Sequence, residues 1–199
     1  MILHTLDFQS QKDMLTLADF EACLDVMKQL GPQYMCIFNG GPDAGSSVAH
    51  KHLQVWQRPA WRTVVEEIIE GKQGLCSDSS HLHIAPNITI VTLPFRFEVM
   101  STPDATEADM IFSSYQQMCD KLSIVNGVAH SLILIKEYLM VVPRKCATIK
   151  GMIDGALLQG GANAMIGQLW LKTPEQLENW KTYGPMIVLT DFGVAATSS

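Results

Sequence analysis

Residues 38–59 read FNGGPDAGSSVAHKHLQVWQRP, a polar loop with Gly40, Gly41 and Gly45 set between two apolar runs. After the loop the side chains alternate. His52 and Gln54 fall on one side with Trp56, and Leu53 and Val55 on the other, a period of two that predicts a strand over 51–57. Before the loop, residues 34–38 are bulky and apolar and predict a short strand. The two strands frame the glycine loop, and the rest of the chain is read outward from them.

Upstream, Leu17, Phe20, Leu24, Met27 and Leu30 recur at helical spacing and predict a helix over 16–30. Thr16 or Asp19 caps its start, and Gly31-Pro32 stops it. Downstream, a short amphipathic helix is expected over 61–69 and a strand over 87–99, with Pro94 marking an edge or a bend. Ala108, Ile111, Tyr115, Met118 and Leu122 form the stripe of a helix over 104–122. Residues 131–142 predict a pair of strands turning at Lys136-Glu137. Thr173-Pro174-Glu175-Gln176 predicts a helix start, with Thr173 as cap, Pro174 in the first turn and Gln176 completing a capping box. Trp170 and Trp180 are expected in the core of that last region. Residues 71–80 and 101–107 read as linkers. No regular strand–helix–strand rhythm emerges, so the expected class is α+β, an antiparallel sheet with flanking helices.

Composition narrows the function. The chain has 199 residues, is 47% hydrophobic and 17% charged, and carries a net charge of -6. This is the make-up of an ordinary globular core. No basic run stands out, which argues against a nucleic-acid partner. No apolar stretch approaches the roughly 18 residues of a membrane span, and residues 1–20 lack the pattern of a secretory signal. Five cysteines are scattered singly, as expected of reduced thiols in a cytoplasmic protein, and their spacing does not suit a structural zinc knuckle. Oligomeric state has no signature in the sequence.

The chemistry-bearing residues cluster at the loop. Glycines let backbone N–H groups approach a ligand and form an anion-binding concavity; a plain surface hairpin is the alternative. His50, His52 and Gln54 place three hydrogen-bonding heads on one strand face. That stripe reads as a solvated face, as half of a zinc site lacking its remaining ligands, or as a nucleophilic histidine beside an anion cradle. Lys51 and Arg58, with Arg144 and Lys136 farther off, are the nearby cations. A second H-x-H, His81 and His83, reads as a loop before a strand. Trp56 and Trp61 suit core packing as well as stacking on a base.

The run NGGPDAGSSVAHKHLQ resembles the active-site motif of the diadenosine tetraphosphate phosphorylases, or ATP adenylyltransferases, in the transferase branch of the histidine triad superfamily. Residues 130–145, HSLILIKEYLMVVPRK, resemble that family's later strand pair, and residues 162–185 its C-terminal region, so the likeness covers most of the chain in order. The resemblance implies a histidine-triad-like fold. It implies that His52 is the nucleophile forming a covalent nucleotidyl-histidine, that the carbonyl of His50 orients it, and that Gln54 holds the transferred phosphoryl group. Asn39 and the run Gly45, Ser46, Ser47, Val48 would contact phosphate and nucleotide, and Ile133, Leu134, Ile135, Met140 and Arg144 would touch substrate.

Superfamily hydrolases usually carry a third histidine at the position of Gln54. An amide cannot donate a proton to a leaving group, so the resemblance implies transfer to a second phosphate acceptor by a ping-pong route. The implied reaction converts diadenosine tetraphosphate and phosphate to ATP and ADP. No resident metal is expected; a divalent cation, Mg or Mn, is the one cofactor that could accompany the nucleotide. Family members carry a segment ahead of the point where Met1 stands, so residues 1–199 are expected to form one N-terminally shortened domain. The alternatives are a non-catalytic nucleotide-binding remnant and a nucleotide-sugar phosphorylase or uridylyltransferase, the latter weakened by the lack of paired zinc-type cysteines.

Overall fold

The structure is a computed structural model that describes residues 1–61, 81–85, 88–94, 107–136, 138–150 and 157–194. The expected helix over 61–69 lies outside these except for Trp61, as do Glu137 and the linkers at 71–80 and 101–106.

Seven strands form one sheet: β1 (Ile2–His4), β2 (Tyr34–Gly40), β3 (His52–Gln57), β4 (His81–Ala85), β5 (Ile88–Pro94), β6 (His130–Leu134) and β7 (Tyr138–Pro143). Their spatial order is β1-β3-β2-β6-β7-β5-β4. Every pairing is antiparallel, as the α+β reading requires. A separate hairpin pairs β8 (Thr148–Lys150) with β9 (Leu157–Gln159). Among the described residues the α-helices are α1 (Leu17–Leu30), α2 (Glu107–Lys121), α3 (Pro174–Tyr183) and α4 (Pro185–Phe192).

The central strands are covered on both faces, which is why β6 from Leu132 onward and the whole of β7 read as apolar runs; every residue of the two is buried. Alternation divides the side chains. Cys36, Phe38, Leu53, Val55, Leu132 and Val141 face α1 and α2, meeting Phe20, Leu24, Ile111 and Tyr115. Met35, Ile37, Ile133, Met140 and Val142 face the C-terminal segment, meeting Leu158, Met165, Ile166, Leu189 and Phe192. The site lies on this second face, at the end of the sheet where β2 gives way to the glycine loop.

The helix starts follow their sequences. At α1, Thr16 and Asp19 cap each other: the Thr16 oxygen accepts from the Asp19 N–H, and the carboxylate accepts from the Thr16 N–H at 2.8 Å. At α3, Thr173 caps through the Gln176 N–H at 3.2 Å. The reciprocal half of that box is not formed, because the side-chain Oε1 of Gln176 accepts from the Lys172 N–H at 2.6 Å. Two further readings are corrected. His81 and His83 lie within strand β4, paired with β5, rather than in a loop. Trp170 is 67% exposed, because it sits in an extended connection between the Ala162–Ile166 turn and α3; Trp180 does pack against the core.

Candidate active site

Register fixes which side chains share the site. Ile37 pairs with Gln54 across β2 and β3. Asn39, two residues beyond Ile37, and His52, two before Gln54, therefore project from the same face, with Trp56 packed against the cluster that holds Met35 and Ile37. Ser131 pairs with Asn39 from β6 and joins this face.

His52 is 9% exposed. Its Nδ1 lies 2.9 Å from the carbonyl oxygen of His50. A carbonyl only accepts, so the proton sits on Nδ1 and the lone pair on Nε2. Among the described residues Nε2 makes no hydrogen bond, which is the state a nitrogen nucleophile needs. The His50 ring does not share the site: its Nε2 contacts Thr5 Oγ1 at 2.9 Å, and the ring packs edge-on to His4 and tilted against Phe8. Only its backbone serves His52. Gln54 is half-buried and its amide makes no hydrogen bond among the described residues.

The loop is wound tightly. Gly41 has φ +92° and Gly45 φ +100°, conformations that favour glycine. Its own turns consume most of its donors: Ala44 N and Ser46 N bond to Gly41 O, and Gly45 N to Pro42 O. The Ser46 hydroxyl donates to Val48 O at 2.8 Å. The remaining donors are fewer than three glycines suggest. Among the described residues the N–H groups of Ser47 and Ala49 and the Ser47 hydroxyl bond to nothing. Asn39 spends its Oδ1 on the Ala162 N–H at 2.7 Å, which leaves its Nδ2 hydrogens as donors. Val48 is 54% exposed beside these groups.

A later segment seats the loop. A Cβ added at Gly45 would lie 2.9 Å from Gly161 Cα, so backbone meets backbone there. Residues 160–162 were thus missed as site residues; a Gly-Gly pair ahead of a short helical turn is the signal that could have found them.

Several expected substrate contacts sit elsewhere. Ile133, Ile135 and Met140 are core side chains at 0–2% exposure, and Leu134 packs on the opposite face of the sheet toward α1 and α2. Their bulk builds the sheet and offers no surface to a ligand. Lys51, one residue out of phase with His52, points to that opposite face; it is 1% exposed and paired with Asp19 at 2.7 Å. Its charge is neutralised inside the protein rather than offered to phosphate.

Arg144 is 4% exposed, and all five of its N–H groups are used. Nε donates to Phe192 O, Nη1 to Ala44 O and Ser131 Oγ, and Nη2 to Cys146 O and Gly160 O, at 2.7–3.3 Å. It binds the loop, β6 and the C-terminal segment together from beneath, and no donor remains for a substrate. Burial lowers its pKa to about 10, so it stays charged at neutral pH. No carboxylate is among those five acceptors.

Family models match both halves of the chain: an Ap4A phosphorylase N-terminal domain over residues 1–70 and an ATP adenylyltransferase C-terminal domain over residues 91–195. Two curated relatives come from Saccharomyces cerevisiae. Diadenosine 5',5'''-P1,P4-tetraphosphate phosphorylase 2 is 25% identical over 203 residues, covering 89% of this chain and 60% of that protein. Protein APA1 is 26% identical over 167 residues, covering 73% of this chain and 50% of that protein. The chain thus spans less than two thirds of either relative. Among solved structures, yeast Ap4A phosphorylase Apa2 in complex with AMP matches with a TM-score of 0.77 at 24% identity, covering 99% of this chain and 70% of that one. The complex of Apa2 with Ap4A matches at 0.75 and 23%. The shared fold is therefore plain.

Proposed function

The chain belongs to the ATP adenylyltransferase family, whose C-terminal model covers more than half of it, and from that premise we propose that it transfers an adenylyl group through His52. The substrate is diadenosine tetraphosphate, and phosphate is the second acceptor. His52 Nε2 attacks the phosphorus nearest one adenosine; the bond to the polyphosphate chain breaks, and ATP leaves. A phosphate oxygen then attacks the same phosphorus, the P–N bond breaks, and ADP leaves. The single observation that carries this reading is the 2.9 Å contact from His52 Nδ1 to the His50 carbonyl. It keeps the lone pair on Nε2 and stabilises the positive charge that develops on the ring as the P–N bond forms. Gln54 and Asn39 Nδ2 serve as neutral donors to the phosphoryl oxygens. The leaving group is a polyphosphate anion, so no general acid is required.

Among the described residues no group of three or more His, Cys, Asp or Glu is placed to hold a metal ion; on this reading any Mg or Mn ion accompanies the nucleotide. Cys23, Cys36, Cys119 and Cys146 are free thiols, which fits a cytoplasmic setting; no described helix is long and apolar enough to cross a membrane. Residues 1–199 act on this reading as one catalytic unit.

The test is phosphate-dependent release of ATP from diadenosine tetraphosphate, with trapping of a labelled adenylyl-enzyme. His52→Ala should abolish both the adduct and turnover; an adduct that survives that change places the chemistry elsewhere. A second reading, nucleotide binding without transfer, is favoured by the internal commitment of Lys51 and Arg144, which removes two cations from the phosphate side. Saturable ATP binding with no phosphate-dependent turnover selects it.

A further inference from the structure

Between β2 and β3 the ladder stops at Ile37 and Gln54, although the register, continued past Phe38 and Leu53, would pair Asn39 with His52. The side chain of Gln11 fills that place. Its Nε2 donates to Asn39 O at 2.8 Å and to His52 O at 3.1 Å, and its Oε1 accepts from His52 N at 2.7 Å. Gln11 is 2% exposed. A primary amide has one acceptor oxygen and two N–H donors, so it reproduces what a peptide unit of a neighbouring strand would supply. The Gln11 backbone is itself fixed to the same stretch: its N–H donates to Ala49 O at 2.8 Å, and Lys51 N donates to Gln9 O at 2.8 Å.

We infer that Gln11 is a positioning residue for the transfer reaction, holding the main chain of His52 so that its ring stays pinned to the His50 carbonyl and Nε2 faces the substrate; this rests on the reading of His52 as nucleophile. The mechanism is geometric. The ring is fixed at one end by the bond from Nδ1 to His50 O. That bond has the right length only while residues 50 and 52 keep their spacing and orientation. Asn39 is held by the same amide, so nucleophile and phosphate donor are set relative to each other by one side chain. Gln11 touches neither substrate nor reacting atoms. The effect of losing it should fall on the rate of adduct formation and on the order of the imidazole, not on nucleotide affinity.

The test compares wild type with Gln11→Met, which keeps length and bulk but has no hydrogen-bonding amide. Two readouts are taken. The first is pre-steady-state adenylyl-enzyme formation from diadenosine tetraphosphate, whose rate constant at saturation should fall about a hundredfold, the scale of a misplacement near one ångström, with the half-saturating concentration unchanged. The second is the 15N spectrum of the histidine rings, with His52 identified by its loss in His52→Ala. Wild type should show one tautomer protonated on Nδ1, and Gln11→Met a mixture. Gln11→Glu, of equal length, stands in should the methionine variant fail to fold; it presents an acceptor to two carbonyl oxygens and should disorder the ring similarly. An unaltered single tautomer in a folded variant overturns the inference. If wild type forms no adduct, the proposed reaction fails, and the ring spectra still decide whether Gln11 orders His52.

Discussion

His130 is fully buried between Phe38 and Tyr115, with Nδ1 3.0 Å from Val128 O and Nε2 2.9 Å from the Tyr115 hydroxyl. The carbonyl requires the proton on Nδ1, and because burial disfavours the charged ring, Nε2 is left to accept from the tyrosine. Burial lowers its pKa from the ordinary 6.5. The unfolded chain therefore binds a proton that the folded protein refuses, between 6.5 and the lowered folded value. Stability should be fully present above pH 6.5 and fall as pH drops through that window, by at most about 1.4 kcal/mol per pH unit. Urea unfolding of wild type and His130→Gln across pH 5 to 8 checks this, and the slope should be absent from the variant. Tyr115 is held protonated by the same burial, and the Cys119 thiol is pushed up to about 12, chiefly by burial. Residue type alone could not separate these histidines: His52 and His130 each open a strand, and only the face each occupies separates a ring turned to the glycine loop from one buried against Tyr115.

At the scale of elements, close approach decides what the sequence tolerates. A Cβ at Gly160 would sit 2.6 Å from both Ala164 Cβ and the Phe192 ring. Gly160→Ala should therefore cost about 1–3 kcal/mol of stability through overpacking, seen as a lower urea midpoint at unchanged slope. It should also disturb the glycine loop, because Gly160 O receives Arg144 and the neighbouring Gly161 seats Gly45. The strand carrying His52 and Gln54 was legible from its alternation, α1 from its apolar spacing with a capped start and a stopped end, and α2 from its apolar stripe. The exposure of Trp170 was not legible, because a large aromatic near a helix start looks the same whether it faces the core or solvent.

Across the molecule, Arg144 joins segments that the chain order keeps far apart. Its five bonds reach Ala44, Ser131, Cys146, Gly160 and Phe192. Arg144→Met should destabilise the protein by roughly 3 kcal/mol or more, since buried acceptors lose their donors at once. Arg144→Lys should recover only part of this, because an ammonium has three donors and no planar fork. Thermal unfolding of both variants checks the order; a raised KM with unchanged stability would instead make Arg144 a substrate contact. The fold class was open to reading because strands and helices mix without a regular strand–helix–strand rhythm. The strand order β1-β3-β2-β6-β7-β5-β4 was not, since it depends on pairings between distant segments that no local pattern encodes. The same reason hid Gln11: a lone glutamine among polar residues carries no mark of burial until the strand it completes is in place.

The tie from Asn39 to Ala162 spans 123 residues, and that from Ala44 to Arg144 spans 100. During synthesis the histidine strand leaves the ribosome well before its support exists. A nascent chain exposing His52 has no floor under its loop until residues 157–194 have emerged, so the loop gains its support together with closure of the second face of the sheet.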